Sequence, residues 1–254
     1  MNEKIIGLIP ARSGSKGINN KNISPLLEYP LIAYSIIASK MSNIINRTIV
    51  STDSEIYYNI ALRYGAEVPF LRPKQISKSD SLDIEYIQHC IEWFQEKEGF
   101  QPDYIVILAP TVPLRDPQLI DEAIQKIQKN NDATSLRSGH EIRESPYKLF
   151  GLKNEYFVGL FPDDPRKEYY NLPRQVFPPI YQPNSYVDII KVKTLDNTDT
   201  LHGSRILSFI TPDVGEVDRI EDIEYIKYKL STINNPVYEN LKRNYSNKVI
   251  LKDD

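Results

Sequence analysis

The densest chemistry in the chain follows its first apolar run. Between Ala11 and Asn22, the cationic side chains of Arg12, Lys16 and Lys21 alternate with Gly14 and Gly17, and Ser13, Ser15 and Asn22 add short polar groups. Glycine lets a backbone approach a phosphate closely and turn N–H groups toward it. Arginine grips two oxygens at once, and lysine supplies a compact charge. Two common phosphate loops are excluded by spacing. A P-loop requires Gly-Lys-Ser/Thr after a four-residue spacer, whereas Lys16 is followed by Gly17; the dinucleotide fingerprint requires a glycine before the Gly14–Gly17 pair that is absent. Taken alone, these residues fit either a polyphosphate site or a solvated surface loop.

Other chemistries find less support. The single cysteine, Cys90, permits no internal disulfide, and its neighbours Ile87, Ile91 and Trp93 suit a small buried residue on a helix. His89, His140 and His202 show no spacing that pairs them with a nucleophile or a metal. With 31 basic and 34 acidic residues the formal charge is −3. No global positive field would attract nucleic acid, so an anionic ligand needs a local cationic cluster. No apolar run approaches the ~20 residues that span a bilayer, and the first residues lack a signal-peptide pattern. A cytoplasmic protein without membrane contact is expected.

Elements that position the loop come from hydrophobic periodicity. Lys4 to Pro10, Thr48 to Ser51 and Tyr104 to Leu108 are short apolar runs, the pattern of strands buried on both faces. Glu67 to Leu71 is a further short strand. Helices are expected over Leu31 to Lys40, Glu55 to Tyr64 (ended by Gly65), Asp80 to Gln95, Leu119 to Ile127 and Asp222 to Leu230. Ile84, Ile87, Ile91 and Phe94 mark one face of the third of these. The alternation predicts a three-layer α/β domain with a mostly parallel sheet. The pattern changes near residue 140. Seven of the 18 prolines fall between Pro146 and Pro183, among tyrosines and charges, with a strand-like piece at Lys148 to Leu152. This stretch, about 140–183, reads as an insertion, either an extended arm or a surface excursion. Tyr186 to Val192 and Arg205 to Ile210 return to strand character. One domain over 1–234 is expected, with 235–254 a peripheral polar tail.

Ile9-Pro10-Ala11-Arg12-Ser13-Gly14-Ser15-Lys16-Gly17, continued by Lys21-Asn22-Ile23, resembles the signature loop of the acylneuraminate cytidylyltransferases, the CMP-sialic acid synthetase family. That loop reads Ala-Arg-Gly-Gly-Ser-Lys-Gly, a few residues, then Lys-Asn. Further segments follow in the family's order. They are Ile49 to Glu55, Tyr64 to Val68, Arg72-Pro73, Pro110-Thr111-Val112-Pro113-Leu114-Arg115, Pro173-Arg174-Gln175, Pro183-Asn184 and Val217 to Asp222, so that the likeness spans roughly 3–231.

The resemblance implies a Rossmann-like nucleotidyltransferase fold and transfer of CMP from CTP to an acidic nine-carbon sugar, with Mg²⁺ and release of pyrophosphate. It also implies a homodimer in which the 140–183 stretch is the arm. Arg12, Lys21 and Asn22 would bind the triphosphate, with Ser15 and Lys16 helping. Arg72 and the Asp80-Ser81 stretch would meet cytosine and ribose; a surface salt bridge is the alternative for Arg72, and its pairing with Pro73 at the family position favours the nucleotide role. The metal carboxylates would be Glu216 and Asp218; on a strand, residues two apart face one side, and Mg²⁺ prefers hard oxygen donors. Arg12, Lys21 and Asp218 would carry catalysis. Asp218 could equally cap the helix that follows. Lys148 and Arg174 would contact the sugar or its carboxylate, or pair with the partner subunit.

Three departures from the family lie outside the triphosphate loop. Glu216 stands for an aspartate, Ala109 for a glutamine before Pro-Thr, and Gln182 for an arginine before Pro-Asn. These three changes spare the triphosphate loop and fall near the sugar, so an acceptor other than N-acetylneuraminic acid is expected, such as a legionaminic or pseudaminic acid. Two rival readings are a 3-deoxy-octulosonic acid cytidylyltransferase, whose opening Thr-Arg-Leu-Pro-Gly-Lys run is absent here, and a catalytically silent nucleotide-binding protein, which loss of one metal aspartate would favour.

Overall fold

The computed structural model describes residues 3–14, 17–197 and 200–246. Its first strand, β1 (Ile5–Pro10), leads through the glycine loop to a 3-10 turn at Lys21–Ile23 and a small ribbon of β2 (Pro25–Leu26) and β3 (Tyr29–Pro30). There follow α1 (Leu31–Met41), β4 (Arg47–Ser51), α2 (Glu55–Arg63), α3 (Asp83–Glu98), β5 (Tyr104–Ile107), α4 (Pro117–Gln128) and β6 (Ser135–Glu141). The chain ends with β7 (Phe150–Lys153), β8 (Tyr156–Gly159), β9 (Tyr181–Lys191), β10 (Ile206–Ile210), α5 (Ile220–Thr232) and α6 (Pro236–Tyr245).

Six strands form one sheet in the order β10-β6-β9-β5-β1-β4. β1 runs parallel to β4 and β5, and β10 parallel to β6, while β9 is antiparallel to both its neighbours. The sheet is therefore mostly parallel, as expected. Alternate strand residues feed two cores. Ile9, Val50, Val106, Leu136 and Ile189 pack with α1, α2, α4, α5 and α6; Ile6, Leu8, Ile49, Ile105 and Ile190 pack with α3. Three layers result. Cys90 is buried in the α3 layer.

Local chemistry sets the helix ends. Ser54 and Asp116 accept backbone N–H bonds at the starts of α2 and α4, and Pro117 occupies the first turn of α4. α3 starts at Asp83, three residues after the expected Asp80, because the Glu85 carboxylate returns to the Leu82 N–H at 2.7 Å and fixes the first turn there. Asp80 and Ser81 lie in the preceding turn. Glu67 to Leu71 makes only two isolated bridges beside β4; Pro69 and Pro73 remove the donors that a full strand needs.

The 142–180 stretch leaves the sheet after β6 and re-enters it at β9. It has a small core of its own, in which Tyr147 stacks between Phe161 and Phe177 at 4.3 and 4.8 Å. β7 and β8 form a hairpin whose two turn residues, Asn154 and Glu155, both have positive φ. Leu152, Tyr156 and Phe157 on this hairpin are each about three-quarters exposed.

The expected peripheral tail is corrected over residues 236–245. Asn235 caps α6, Val237 and Leu241 are fully buried, and Tyr238 stacks on Tyr34 of α1 at 6.4 Å. Two apolar residues four apart were too short a pattern to reveal a helix docked on another. Among the described residues no helix is long and apolar enough to cross a membrane.

Candidate functional site

In open α/β sheets, ligands bind where loops leave the carboxyl ends of parallel strands. A cleft of about 260 Å³ lies there, between the loops that follow β1 and β5. Arg12, Lys21, Asn22, Arg72 and Ser81 line it, together with Tyr86 and Thr111. Five residues singled out in the sequence thus meet in one place. Ser15 and Lys16 lie outside the described residues.

The loop that carries three of the five is stitched at several points. Asn22 is buried, and its amide donates to the Arg12 carbonyl at 3.0 Å, tying the two limbs together. Ser13 donates both its N–H and its hydroxyl to the Asp53 carboxylate, each at 2.7 Å. The Tyr57 hydroxyl donates to Asn20, which holds a left-handed conformation. At Gly17 a Cβ would sit 2.9 Å from the Asp218 carbonyl, so only glycine fits without displacing that backbone. Arg12 folds over the loop and donates to the Gly14 carbonyl at 3.2 Å.

Arg72 is 4% exposed and is not a surface salt bridge. Its guanidinium donates to the Ser51 hydroxyl at 2.9 Å and the Ser51 carbonyl at 2.7 Å, and it lies over the Tyr86 ring at 4.7 Å. Burial lowers its pKa, against the opposing pull of Tyr86, Asp53 and Asp83. The same burial holds the Tyr86 phenol far up, so it stays protonated. Ser81 reaches the cleft, but Asp80 is exposed in its turn and is not among the lining residues.

Glu216-Val217-Asp218 is not a strand. One backbone bond, from the Val217 N–H to the Thr111 carbonyl at 2.8 Å, anchors it, and the Val217 side chain is fully buried. The flanking carboxylates are exposed. Glu216 accepts from the Thr111 hydroxyl at 2.8 Å, and Asp218 pairs with Lys21 at 2.9 Å, so both have cleft residues as partners. The helix-capping role falls instead to Asp222, which accepts the N–H groups of Asp218 and Arg219. The two exposed carboxylates are the donor type that a hard divalent cation keeping several waters would take. Among the described residues, no group of three or more His, Cys, Asp and Glu is arranged to hold a metal.

Arg115, from the Pro110 to Arg115 segment, is fully buried. It donates to the carbonyls of Val112, Ser185 and Tyr186 and to the Ser35 hydroxyl, bracing the cleft's β5 wall against β9. Burial pushes its pKa down to about 10.

The two expected sugar contacts lie elsewhere. Lys148 donates to the Leu172 carbonyl at 2.9 Å within the excursion, and Arg174 donates to the Ile142 carbonyl at 3.4 Å beside Glu141. Neither lines the cleft. Arg174 borders a separate hollow of about 340 Å³, where the buried Ser145 hydroxyl has no partner among the described residues. Asp53, Tyr86 and Thr111 escaped the sequence reading as site residues. Only Asp53 and Thr111 fell inside matched motifs, and neither carried a signal of its partner, 40 or 105 residues away.

The pattern of the family described as Cytidylyltransferase matches residues 6–205. The chain belongs to that family. It is a nucleotidyltransferase by membership, and its fold agrees. A synthetase described as CMP:2-keto-3-deoxy-manno-octonic acid synthetase, solved with CTP, superposes with a TM-score of 0.66 over 91% of this chain and 99% of that one; at 15% identity this shows the fold alone. The N-acylneuraminate cytidylyltransferase of Escherichia coli O18:K1:H7 is 42% identical over 128 residues, 50% of this chain and 29% of that protein. This cytidylyltransferase therefore spans under a third of that relative. The pseudaminic acid cytidylyltransferase of Campylobacter jejuni serotype O:2 is 29% identical over 90% of this chain and 97% of its own length.

Proposed function

We propose that this cytidylyltransferase transfers CMP from CTP to the anomeric hydroxyl of a nonulosonic acid and releases pyrophosphate. The observation that carries the reading is the convergence of Arg12, Lys21, Asn22 and Arg72 on one cleft, with Asp218 and Glu216 at its rim. The relatives from Escherichia coli and Campylobacter jejuni are named for N-acylneuraminate and pseudaminic acid, both acidic sugars, which supports the reading.

The sugar hydroxyl attacks the α-phosphorus in line, and the bond to pyrophosphate breaks. Phosphoryl-type transfer needs chiefly positioning and charge neutralisation. Arg12 and Lys21 hold the triphosphate oxygens. Arg72 and Ser81 hold the nucleoside end, where Tyr86 backs the guanidinium. When bound, Mg²⁺ at Asp218 and Glu216 supplies positive charge to the phosphate oxygens.

Lys148 and Arg174 serve the sugar only in an assembly, since a single chain leaves them outside the cleft. The exposed apolar hairpin of β7 and β8 supports a homodimer in which this arm is covered. A cytoplasmic location, where CTP is available, fits this reading.

Pyrophosphate release tests the reading. The protein is incubated with CTP, Mg²⁺ and a panel of nine-carbon keto-acid sugars, with 3-deoxy-octulosonic acid alongside. Turnover with a nine-carbon acid is expected. Tight CTP binding without turnover on any acceptor would make it a silent binder, and preference for the eight-carbon acid would establish the rival enzyme.

A further inference from the structure

We propose that Asp53 is the positioning residue of the phosphate-binding loop, acting through Ser13 and never touching the nucleotide. The inference rests on the reading of Arg12 and Lys21 as triphosphate ligands. Asp53 follows β4 directly, in the turn Ser51-Thr52-Asp53. Each of its oxygens takes one donor from Ser13: the N–H and the hydroxyl, both at 2.7 Å. Short bonds to a carboxylate are the strong class of hydrogen bond. They fix the residue between Arg12 and Gly14, at the point where the loop leaves β1.

The same turn also holds the other end of the cleft. Ser51 accepts both bonds of the Arg72 guanidinium, and its carbonyl accepts the Ala11 N–H at 2.9 Å. One tight turn therefore sets the spacing between the loop that carries Arg12 and the buried Arg72. Asp53 and Arg12 both lie within electrostatic reach of Arg72. A carboxylate beside a polyphosphate site is unfavourable by charge alone, because it repels the ligand. Its presence is accounted for by the two donors it orders.

This conflict of sign makes the proposal testable with Asp53→Asn. The amide keeps the shape of the carboxylate and can still meet Ser13 at both ends, its oxygen accepting the N–H and its NH2 donating to the hydroxyl, but both bonds lose their charge. Calorimetric titration of the whole protein with CTP and with CMP reads the outcome. Exchanging two charge-assisted hydrogen bonds for neutral ones corresponds to about a tenfold weaker affinity for CTP. CMP, which lacks the outer phosphates, should weaken by about twofold or less. Ser13→Ala removes only the hydroxyl bond and should show a smaller loss in the same direction. The double variant should be no weaker than Asp53→Asn alone, because both changes act on one contact. Tighter CTP binding by Asp53→Asn would mean that the carboxylate acts only by repulsion, and would overturn the proposal. Equal losses for CTP and CMP would assign Asp53 to general stability, with the same effect. If Asp53→Asn fails to fold, Ser13→Ala alone carries the comparison of CTP with CMP. Should the wild type bind another nucleoside triphosphate in place of CTP, the functional reading fails; the same contrast of tri- and monophosphate then tests Asp53 with that nucleotide.

Discussion

Replacing Asp218 by asparagine should move nucleotide binding and turnover in opposite directions. In the structure Asp218 is paired with Lys21 at 2.9 Å, with the aspartate two-thirds exposed and the lysine largely covered. The lysine expected to hold a phosphate is thus occupied by the carboxylate expected to hold the metal. A pair this open to water is worth at most about 1 kcal/mol, a factor of about five in affinity. CTP must break it to engage Lys21 unless a cation takes Asp218 first. In EDTA, Asp218→Asn should therefore bind CTP up to about fivefold more tightly than wild type. Lys21→Ala should bind it more weakly under every condition. With Mg²⁺ present, Asp218→Asn should lose turnover by about two orders of magnitude or more, as a carboxylate ligand is gone. Calorimetric titration with CTP at low ionic strength and again at 1 M salt checks the mechanism. At 1 M the screening length is about 3 Å, and most of the metal-free gain should vanish. Weaker metal-free binding by Asp218→Asn, or near-normal turnover with Mg²⁺, would refute the reasoning.

Further outcomes follow from particular contacts. Arg72→Lys cannot reproduce a planar fork with two bonds to Ser51 over the Tyr86 ring. Its nucleotide affinity should fall by about tenfold, measured by the same titration. Leu241→Ala leaves a void between α6 and α1; unfolding in urea should show a loss of about 2–4 kcal/mol, with CTP affinity of the folded protein unchanged. Phe157→Asp on the exposed hairpin should shift sedimentation from dimer to monomer, and loss of turnover at constant CTP affinity should accompany it. His89 and His202 have pKa values lowered by burial, and their Nδ1 atoms have no partner among the described residues. The unfolded chain binds their protons more readily, so the stability they confer is present above about pH 6.5. It is lost as pH falls below that value toward their folded pKa values, and His202→Gln should flatten that part of the thermal-melt profile.

The layered sheet was legible because buried parallel strands are written as continuous apolar runs, such as Ile5 to Ile9 and Tyr104 to Ile107. β6 was not. Its Ser135, Arg137, Ser138 and His140 side chains find their partners at His202, Asp188, Val187 and Asn184, which lie far along the chain. α6 was missed for a related reason, as its tyrosines pack against Tyr29, Tyr34 and Tyr64, far away in the sequence. At the site, the cationic residues of the loop were visible as a cluster within a single segment. Arg72 joined them only through the family resemblance, and its burial rules out the alternative of a surface salt bridge. Asp53 and Thr111 act through partners distant in sequence, and such pairings leave no local trace.

The two halves of the proposed reaction differ in how the fold provides for them. The nucleotide half is built from one chain at one edge of one sheet, where β1, β4 and β5 all end. Its ligands are held by short bonds to their own neighbours: Asn22 to Arg12, Asp53 to Ser13, Ser51 to Arg72. The residues expected for the acceptor ride on the excursion, away from that cleft. That excursion exposes Leu152, Tyr156 and Phe157, which a folded monomer has reason to cover. One further surface satisfies both needs. If the excursion closes over the cleft of a second copy, the apolar hairpin is buried and Lys148 and Arg174 are delivered to an acidic sugar. In such a dimer the pairing would be reciprocal by two-fold symmetry, and each cleft would receive its acceptor residues from the other chain. Mixing Lys21→Ala protein with Arg174→Ala protein should then restore part of the turnover that each lacks alone. In a mixed dimer one cleft combines an intact loop with an intact arm. Failure of the mixture to recover activity, with exchange of subunits demonstrated, would place Arg174 in service of its own chain.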